Sequence, residues 1–501
     1  MELLAHSKRA VAAALASAAL SGCAVGPDFV QPEAPKTSSY TASPLPAETA
    51  ATPGTGGAAQ RLVSGQEIPD QWWTLFHSPA LDQLVRQALA DSPTLAAAQA
   101  ALRQAQETLR ADLGVALSPA VDAGLSGRRQ RTSGAALGQP NAPANEFDLY
   151  NASVNVSYSL SLVGGAQREL ESLRSQVDYQ RFQLEGAYLA LTSNLVTTAV
   201  KEASLRAQIR ATQEIITAQE KQLAIVERQF TLGAVSRPDV LAQRSQLAQT
   251  RAGLPPLDKA LAQTRHALAV LAGRLPSASG LPEFELATFE LPQTVPVSLP
   301  SALVRQRPDI RASEALLHQA SAQIGVATAA LFPQITLSGA IGSETTRSQD
   351  LLSSGTGVWN FGAALLQPVF HGGELVARRR GAIAAYDQAA AQYRQTVLLA
   401  FQNVADVLRA LDTDAAALKA QAEAESAAQD ALTLSESQFK LGAVSYLVLL
   451  NAQRQYQQAH IALVQAQATR FADTAALFQA LGGGWWNRPA PGAEAMSSNK
   501  N

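Results

Sequence analysis

The sequence has no surplus of charge of either sign, and it lacks the residue clusters that support catalysis. Its 39 lysines and arginines nearly balance 41 acidic residues, so the composition gives no case for nucleic-acid binding, which would need a basic face. Its six histidines are scattered, none of them four residues from another, and we therefore expect no metal site. It contains no nucleophile elbow and no phosphate-binding loop, so we expect neither enzymatic activity nor a bound cofactor.

Long apolar runs are also missing. No stretch reaches about 18 consecutive apolar residues, so no membrane-spanning helix is expected. A membrane crossing would have to be made by β-strands, because only helices and closed sheets satisfy their backbone groups in lipid. The 11 residues from Ala10 to Leu20 are too few to span a bilayer. With Lys8 and Arg9 before them, they have the length and charge of a signal-peptide core.

The only cysteine, Cys23, ends the run Leu20-Ser21-Gly22-Cys23, which resembles a bacterial lipobox. The resemblance implies that residues 1–22 are a signal peptide and that Cys23 becomes the first residue, acylated with chains such as palmitate. Several acyl chains anchor a protein firmly, and Ala24, in place of aspartate, implies sorting to the outer membrane. The alternative is an ordinary signal peptide with a chance cysteine. Residues 23–70, rich in proline and glycine, are expected to form a lipidated extended tether with little packing.

The body of the chain is a duplication. Residues 227–236 read ERQFTLGAVS and residues 436–445 read ESQFKLGAVS, an offset of 209 residues. Solenoid proteins repeat every 20–50 residues or so, and this much larger offset indicates a duplicated half-protein. The resulting segments are a first structural repeat at 71–274, an inter-repeat linker at 275–300, a second structural repeat at 301–482 and a polar C-terminal tail at 483–501.

Each repeat contains two segments in which apolar and small polar residues alternate, the pattern of β-strands. They lie at about 120–130 and 150–161, separated by a polar loop at 131–148, and at about 333–342 and 357–370. Their length suits tilted transmembrane strands, and the small polar residues on the opposite face suit a wet lumen. The alternative is an amphipathic sheet that covers a soluble core. The apolar positions are Val154, Val156, Tyr158, Leu160, Ile335, Leu337, Ile341, Trp359, Phe361, Ala363 and Leu365.

A very long helix is predicted after each pair of strands. About 65 residues at 1.5 Å per residue give a length of roughly 100 Å. Apolar residues recur every seven positions, which favours a coiled coil over a bundle inside a globular domain. Each long helix ends at a Leu-Gly-Ala-Val-Ser turn, from which a second helix returns to about residue 274 or 481. The main apolar row of the first helix is Tyr188, Leu195, Ile209, Ile216, Leu223 and Phe230, interrupted by Glu202.

These elements predict a mainly α-helical chain with a small transmembrane β part. Four strands cannot close a barrel and an open sheet edge cannot lie in lipid, so several chains must contribute strands. Three copies would supply a twelve-strand β-barrel, continued by a twelve-helix periplasmic α-barrel. Such a tube is expected to carry solutes across the cell envelope. The competing class is a structural coiled-coil lipoprotein, which would form no pore.

Two motifs resemble a known family. The run Trp72-Trp73-Thr74-Leu75-Phe76 and the run Arg307-Pro308-Asp309-Ile310-Arg311 are similar to segments of TolC-like outer-membrane efflux factors, in the NodT-type lipoprotein branch. The resemblance covers essentially residues 20–482. It implies a homotrimer, lipid-anchored in the bacterial outer membrane, with a large periplasmic part. It also implies a passive conduit, without a cofactor, for small molecules that include drugs.

The same resemblance implies two partners, a periplasmic adaptor protein and an inner-membrane transporter, usually of the resistance–nodulation–division (RND) type. The alternative is a channel for type I protein secretion with an ATP-driven exporter. In the family, the adaptor docks at the helix-hairpin tips. The corresponding residues here are Leu232, Gly233, Ala234, Val235, Ser236, Leu441, Gly442, Ala443, Val444 and Ser445.

The resemblance also points to candidate residues for a periplasmic gate. Some family members carry paired aspartates just beyond the second tip, and the corresponding positions here are Val448 and Asn451. Asp239 is the counterpart of Val448 in the first repeat. Because the second repeat lacks the acids, gating is expected to rest on helix packing.

A dense run of charges at the start of the second repeat has two interpretations. It could line the conduit, or it could fix the start of a helix, since a proline lies among closely spaced opposite charges. The charged residues are Arg305, Arg307, Asp309, Arg311 and Glu314.

Overall fold

The structure is a computed structural model that describes residues 24–133, 135, 138, 141 and 143–488. The predicted signal peptide, the predicted acylation site Cys23 and residues 489–501 of the predicted tail lie outside the described residues. The described part contains nine α-helices and six β-strands. In that part, no helix has both the length and the apolar character that a membrane span requires.

The helices are α1 Pro79–Asp91, α2 Pro93–Leu117, α3 Gly165–Thr231, α4 Arg237–Ala252, α5 Leu254–Leu271, α6 Pro300–Gln306, α7 Pro308–Ala329, α8 Glu374–Lys440 and α9 Tyr446–Ala480. The strands are β1 Arg61–Ser64, β2 Ala120–Thr132, β3 Asn145–Leu160, β4 Thr294–Val297, β5 Gln334–Thr345 and β6 Gly357–Leu366. The two long helices, α3 and α8, have 67 residues each and occupy equivalent places in the two repeats. At 1.5 Å per residue each is about 100 Å long.

The chain divides into two compact units, and each unit draws segments from both repeats. The first unit combines the described residues of 24–31, 101–180 and 313–393, and it contains the strands β2, β3, β5 and β6. The second unit combines the described residues 32–100, 181–312 and 394–488. The duplication is therefore not a division into two independent domains, because neither repeat forms a compact body alone.

The first unit contains a four-stranded antiparallel sheet in the order β2-β3-β5-β6. Its register sets Val154 opposite Ile341, and Ile341 opposite Trp359. Side chains of directly opposed residues share a face, so the predicted apolar positions of β3, β5 and β6 form one continuous face. The outer strands, β2 and β6, have no further partner strand among the described residues of this single chain. Such open edges are the feature that additional copies would cover.

The strand boundaries that differ most from the prediction are the start of β3 and the end of β6. β3 begins at Asn145, inside the segment predicted as a polar loop, because Glu146 pairs across the ladder with Arg131. The carboxylate of Glu146 lies 3.8 Å from the guanidinium of Arg131, so cross-strand charge pairing compensates for the polar sequence. β6 ends at Leu366, short of the predicted residue 370. Pro368 has no N–H to donate to a ladder, which is consistent with that early end.

The helix that returns from the first tip is broken, although one continuous helix was predicted. α4 ends at Ala252 and α5 begins at Leu254, on the other side of Gly253. Pro255 and Pro256 occupy the first turn of α5, the helical position that tolerates proline, and neither could continue a preceding helix. The equivalent helix of the second repeat, α9, contains no proline and runs unbroken for 35 residues.

The prediction that residues 23–70 pack little was wrong for several parts of that segment. β1 pairs in parallel with β4, which lies in the predicted inter-repeat linker. The buried amide of Gln60 donates to the carbonyl of Pro292 (3.2 Å), and the hydroxyl of Tyr40 donates to the carbonyl of Ser298 (2.9 Å). The β1–β4 pair therefore attaches this part of the proline- and glycine-rich segment to the second unit. The local sequence of neither strand predicts the pairing.

The two sequence motifs occupy structural positions in the second unit. Trp72 is buried in its core and stacks on Phe478, with ring centroids 5.2 Å apart. Arg307 is also buried; its Nη1 donates to the carbonyl of Ala480 (2.8 Å), and its Nε and Nη2 donate to the carboxylate of Asp309 (3.0 and 2.7 Å). Arg307 thus joins the start of α7 to the end of α9. These contacts support the interpretation of the charged run as a fixture for the helix start.

Glu202, the polar residue in the apolar row of α3, is fully buried. Its Oε1 accepts hydrogen bonds from Arg206 Nε (3.0 Å) and from Arg265 Nη1 (2.6 Å). A buried carboxylate is tolerated only when it is paired in this way. The interruption of the heptad row is therefore an ion-pair contact between α3 and α5.

Candidate functional site at the helix tips

The two Leu-Gly-Ala-Val-Ser segments form the same turn at the ends of the two long helices. At the first, the amide of Ala234 donates to the carbonyl of Gln229 (2.9 Å) and the amide of Gly233 donates to that of Phe230 (3.0 Å). This pair of bonds is a Schellman motif, which requires a residue with a left-handed backbone conformation just after the helix. Gly233 is that residue, and its φ is +76°. At the second, Gly442 has a φ of +73°, and the bonds from Ala443 to Gln438 and from Gly442 to Phe439 measure 2.9 and 3.0 Å.

The helices that leave the two turns start differently. Asp239, in the first turn of α4, accepts hydrogen bonds through Oδ2 from the backbone amide (2.9 Å) and the hydroxyl (2.6 Å) of Ser236. Its carboxylate therefore supplies an acceptor for the Ser236 amide, a donor at the N-terminal end of α4 that has no partner within the helix. In the second repeat the same position is Val448, and Ser445 has no side-chain cap. The gate candidate Asp239 thus has a local structural role, while Val448 and Asn451 are exposed on the first turns of α9.

The two tips pack against each other within the second unit. A small apolar cluster joins Val226 and Val240 of the first hairpin to Phe439 and Leu449 of the second. The hydroxyl of Tyr446 donates to the amide oxygen of Gln243 on α4. Burial, with a smaller contribution from the charge of Asp239, raises the pKa of Tyr446 above its ordinary value.

A second polar bridge follows one helical turn further along. Arg454 Nε donates to the Oε1 of Gln246 (2.6 Å), and Gln246 lies one turn beyond Gln243 on α4. Sequence reasoning did not identify these bridges, because the bonded residues are more than 200 positions apart and belong to different hairpins. With the apolar cluster, they hold the two tips together as one body.

Each tip presents a bare leucine. Leu232 is 71% exposed and Leu441 is 85% exposed, and Leu447, on the first turn of α9, is exposed as well. Gly233 and Gly442 have open space where a Cβ would stand, so no described residue covers the turns at these glycines. Apolar side chains grouped at one exposed end are the usual mark of a surface that another protein covers. No cluster of metal-binding side chains is found among the described residues.

The different caps predict a stabilising substitution at the second tip. In Val448→Asp, the new carboxylate should accept from the amide of Ser445 as Asp239 does from Ser236, which is worth about 0.5–1 kcal/mol. Hydrogen exchange at the Ser445 amide should therefore slow by about threefold. The reciprocal control, Asp239→Val, should speed exchange at the Ser236 amide. If the control responds and Val448→Asp does not, the two turns are not equivalent.

Comparison with known proteins gives a consistent picture. The family model described as "Outer membrane efflux protein" matches residues 84–274 and 299–483, which correspond to the two repeats. The chain is 34% identical over 422 residues to the pyoverdine export outer membrane protein OpmQ of Pseudomonas aeruginosa, covering 83% of this chain and 87% of that protein. It is 31% identical over 490 residues to the probable efflux pump outer membrane protein TtgC of Pseudomonas putida, covering 96% and 97%.

A solved structure shares the fold over almost the whole chain. The outer-membrane channel OprN superposes with a TM-score of 0.82 at 28% sequence identity. The match covers 92% of this chain and 100% of that one. Both the strand-containing unit and the long helices therefore have counterparts in a known channel.

Proposed function

Because the chain belongs to the outer membrane efflux protein family, we propose that its two helix tips are the docking site for a periplasmic adaptor protein. The protein is an outer-membrane channel of a tripartite efflux system, a passive conduit and not an enzyme. We further propose that it works as a homotrimer and that the inner-membrane transporter behind the adaptor is of the RND type. The finer assignments below rest on this membership together with the geometry of the tips.

The exposed leucines are the observation that carries the docking proposal. Leu232 and Leu441 stand at the ends of two hairpins that are held together by the Tyr446–Gln243 bridge and by shared apolar packing. A pair of apolar side chains on a preorganised surface supplies binding energy without a cost for ordering loops. Three copies would present six such leucines to the adaptor.

The gate is proposed to close by packing of the helices. Asp239 already accepts two hydrogen bonds from Ser236, and its counterpart in the second repeat is the apolar Val448. Asn451, one turn further along α9, is polar but uncharged at neutral pH. A ring of free carboxylates is therefore not expected at this end of the channel.

Cys23 is proposed as the acylated residue that anchors the protein in the outer membrane. It lies outside the described residues, and the support for this assignment is the lipobox-like sequence that ends at Cys23. The cargo is proposed to be small organic molecules. This part of the proposal is supported by relatives named for pyoverdine export and for an efflux pump.

Site-specific photo-crosslinking tests the docking proposal in cells. A photoreactive amino acid at Leu232 or Leu441 should form a covalent adduct with a periplasmic protein, which mass spectrometry would identify as an adaptor. The control position is Leu352, which is 90% exposed between β5 and β6. Adducts only with other copies of this chain, or equal adducts at Leu352, would contradict docking at the tips. Conductance of the purified protein in planar bilayers separately tests the pore.

A further inference from the structure

Residues Ala24 to Phe29 lie in a narrow groove of the first unit. The amide of Val25 donates to the carbonyl of Val163 (3.0 Å), just beyond the end of β3. A Cβ added to Gly164 would lie 2.5 Å from the Cα of Ala24, and one added to Gly26 would lie 2.5 Å from the Cα of Gly325. No real Cβ fits at such distances, so the close approach of these backbones depends on glycine.

Arg168 recognises the main chain of this segment. Its side chain is 5% exposed; Nε donates to the carbonyl of Val25 (3.1 Å), and Nη2 donates to the carbonyls of Ala24 (3.3 Å) and Gly26 (3.5 Å). Nη2 also donates to the carboxylate of Asp28 (2.6 Å). The planar guanidinium can serve several acceptors at once, which a lysine ammonium on its flexible stem does less well.

Arg168 and a nearby ring contact attach the segment to both repeats. Nη1 of Arg168 donates to Glu171 (2.7 Å), one turn along α3, and Oε1 of Glu171 lies 2.8 Å from Nε2 of His318 on α7. The ring of Phe29 stacks on that of His318, with centroids 4.2 Å apart. The segment therefore joins α3 of the first repeat to α7 of the second, beside the strands. We name the residues that hold it, Val163, Gly164, Arg168, Glu171, His318 and Gly325, the N-terminal groove.

We propose that the N-terminal groove is a binding site for the mature N-terminus of this same chain, and that Arg168 positions the acylated end beside the last residues of β3. The proposal rests on the proposed acylation of Cys23, which directly precedes Ala24 in the sequence. Because the groove recognises backbone carbonyls, it holds the segment at a fixed place instead of leaving it at the end of a loose tether. The lipid anchor thereby keeps a constant position relative to the strand-containing unit.

The test is hydrogen exchange on the purified, detergent-solubilised full-length mature protein. In the wild type, the Val25 amide should exchange slowly because it is bonded to Val163. Arg168→Ala should speed that exchange by about tenfold or more, because the segment can then open without the cost of breaking its hydrogen bonds to the guanidinium. Arg168→Lys keeps the charge but loses the fork, and it should give an intermediate rate. The matched control is Arg174→Ala, an exposed arginine on the same helix, which should leave the rate unchanged.

Two further measurements separate the possible failures. Mass spectrometry of the N-terminal peptide reports acylation of Cys23 independently of docking, and slow exchange in the interior of α3 reports that each variant is folded. An unacylated wild type whose Val25 is protected by Arg168 would overturn the anchor assignment but not the groove. A folded Arg168→Ala protein with wild-type protection at Val25 would overturn the groove, as would a wild type without protection there. If Arg168→Ala fails to fold, Arg168→Lys decides by the same criterion.

Discussion

Replacing Leu232 and Leu441 together by aspartate is expected to abolish efflux in cells while leaving the amount of folded channel unchanged. Both side chains are exposed in the chain, at 71% and 85%, so neither substitution removes a core contact. On docking, each aspartate would have to leave water without a partner, which costs several kcal/mol. A loss of about 3 kcal/mol already weakens binding more than a hundredfold. A trimer would carry six such charges, and the summed desolvation cost should prevent the adaptor from binding.

The measurement is accumulation of a fluorescent dye in a strain whose only copy of this channel is the variant. Cells with the doubly substituted channel should retain dye as fully as cells without the channel. Leu352→Asp is the control, because it places the same charge at an equally exposed leucine between β5 and β6. The amount of channel oligomer in the outer membrane, assayed on unheated gels, should be the same for the wild type, the double variant and Leu352→Asp. Normal efflux by the double variant would rule out docking through the two leucines.

Local patterns in the sequence predict the strands and the tips well. Alternation in β3, β5 and β6 places Val154, Ile341 and Trp359 on one face, and the register confirms this because the three lie in one cross-strand row. The repeated Gly233 and Gly442 predict left-handed turns, and both glycines adopt them. These features depend on side-chain periodicity or on single backbone angles, which short stretches of sequence specify.

Contacts between distant segments were not predictable in the same way. β1 has only four residues, too few for a clear alternating pattern, and pairing with β4 makes it a strand. The docked segment at Ala24–Phe29 and the bond between Tyr446 and Gln243 likewise depend on groups far away in the chain. The burial and ion pairing of Glu202 were not predictable either, because in the sequence Glu202 is only one polar residue in an apolar heptad row. These contacts can be identified only when the three-dimensional positions of both partners are known.

Replacing Arg470 by methionine is expected to destabilise the second unit by about 3–5 kcal/mol, because it removes a buried charged donor and leaves its buried acceptors unpaired. Arg470 is fully buried on α9, and its guanidinium donates to the carbonyls of Leu411 (2.9 Å) and Ala58 (3.2 Å). Methionine fills similar space but leaves both carbonyls without this donor. The apparent Tm should fall by something on the order of 5 °C. The control is Arg409→Met, since that side chain is 46% exposed and its ion pair with Asp412 contributes little.

The destabilisation should also grow with pH, because Asp473 lies beside Arg470. Burial, together with a hydrogen bond and the charge of Asp414, raises the pKa of Asp473 from 3.8 to about 7, while the charge of Arg470 opposes that rise. An acid whose folded-state pKa is raised contributes stability that is complete below pH 4 or so and is lost as pH rises through the folded value. Without Arg470 the folded pKa rises further, so the loss at pH 8 becomes larger. Arg470→Met should therefore differ from the wild type more at pH 8 than at pH 5, and equal differences would mean that the two groups are not coupled.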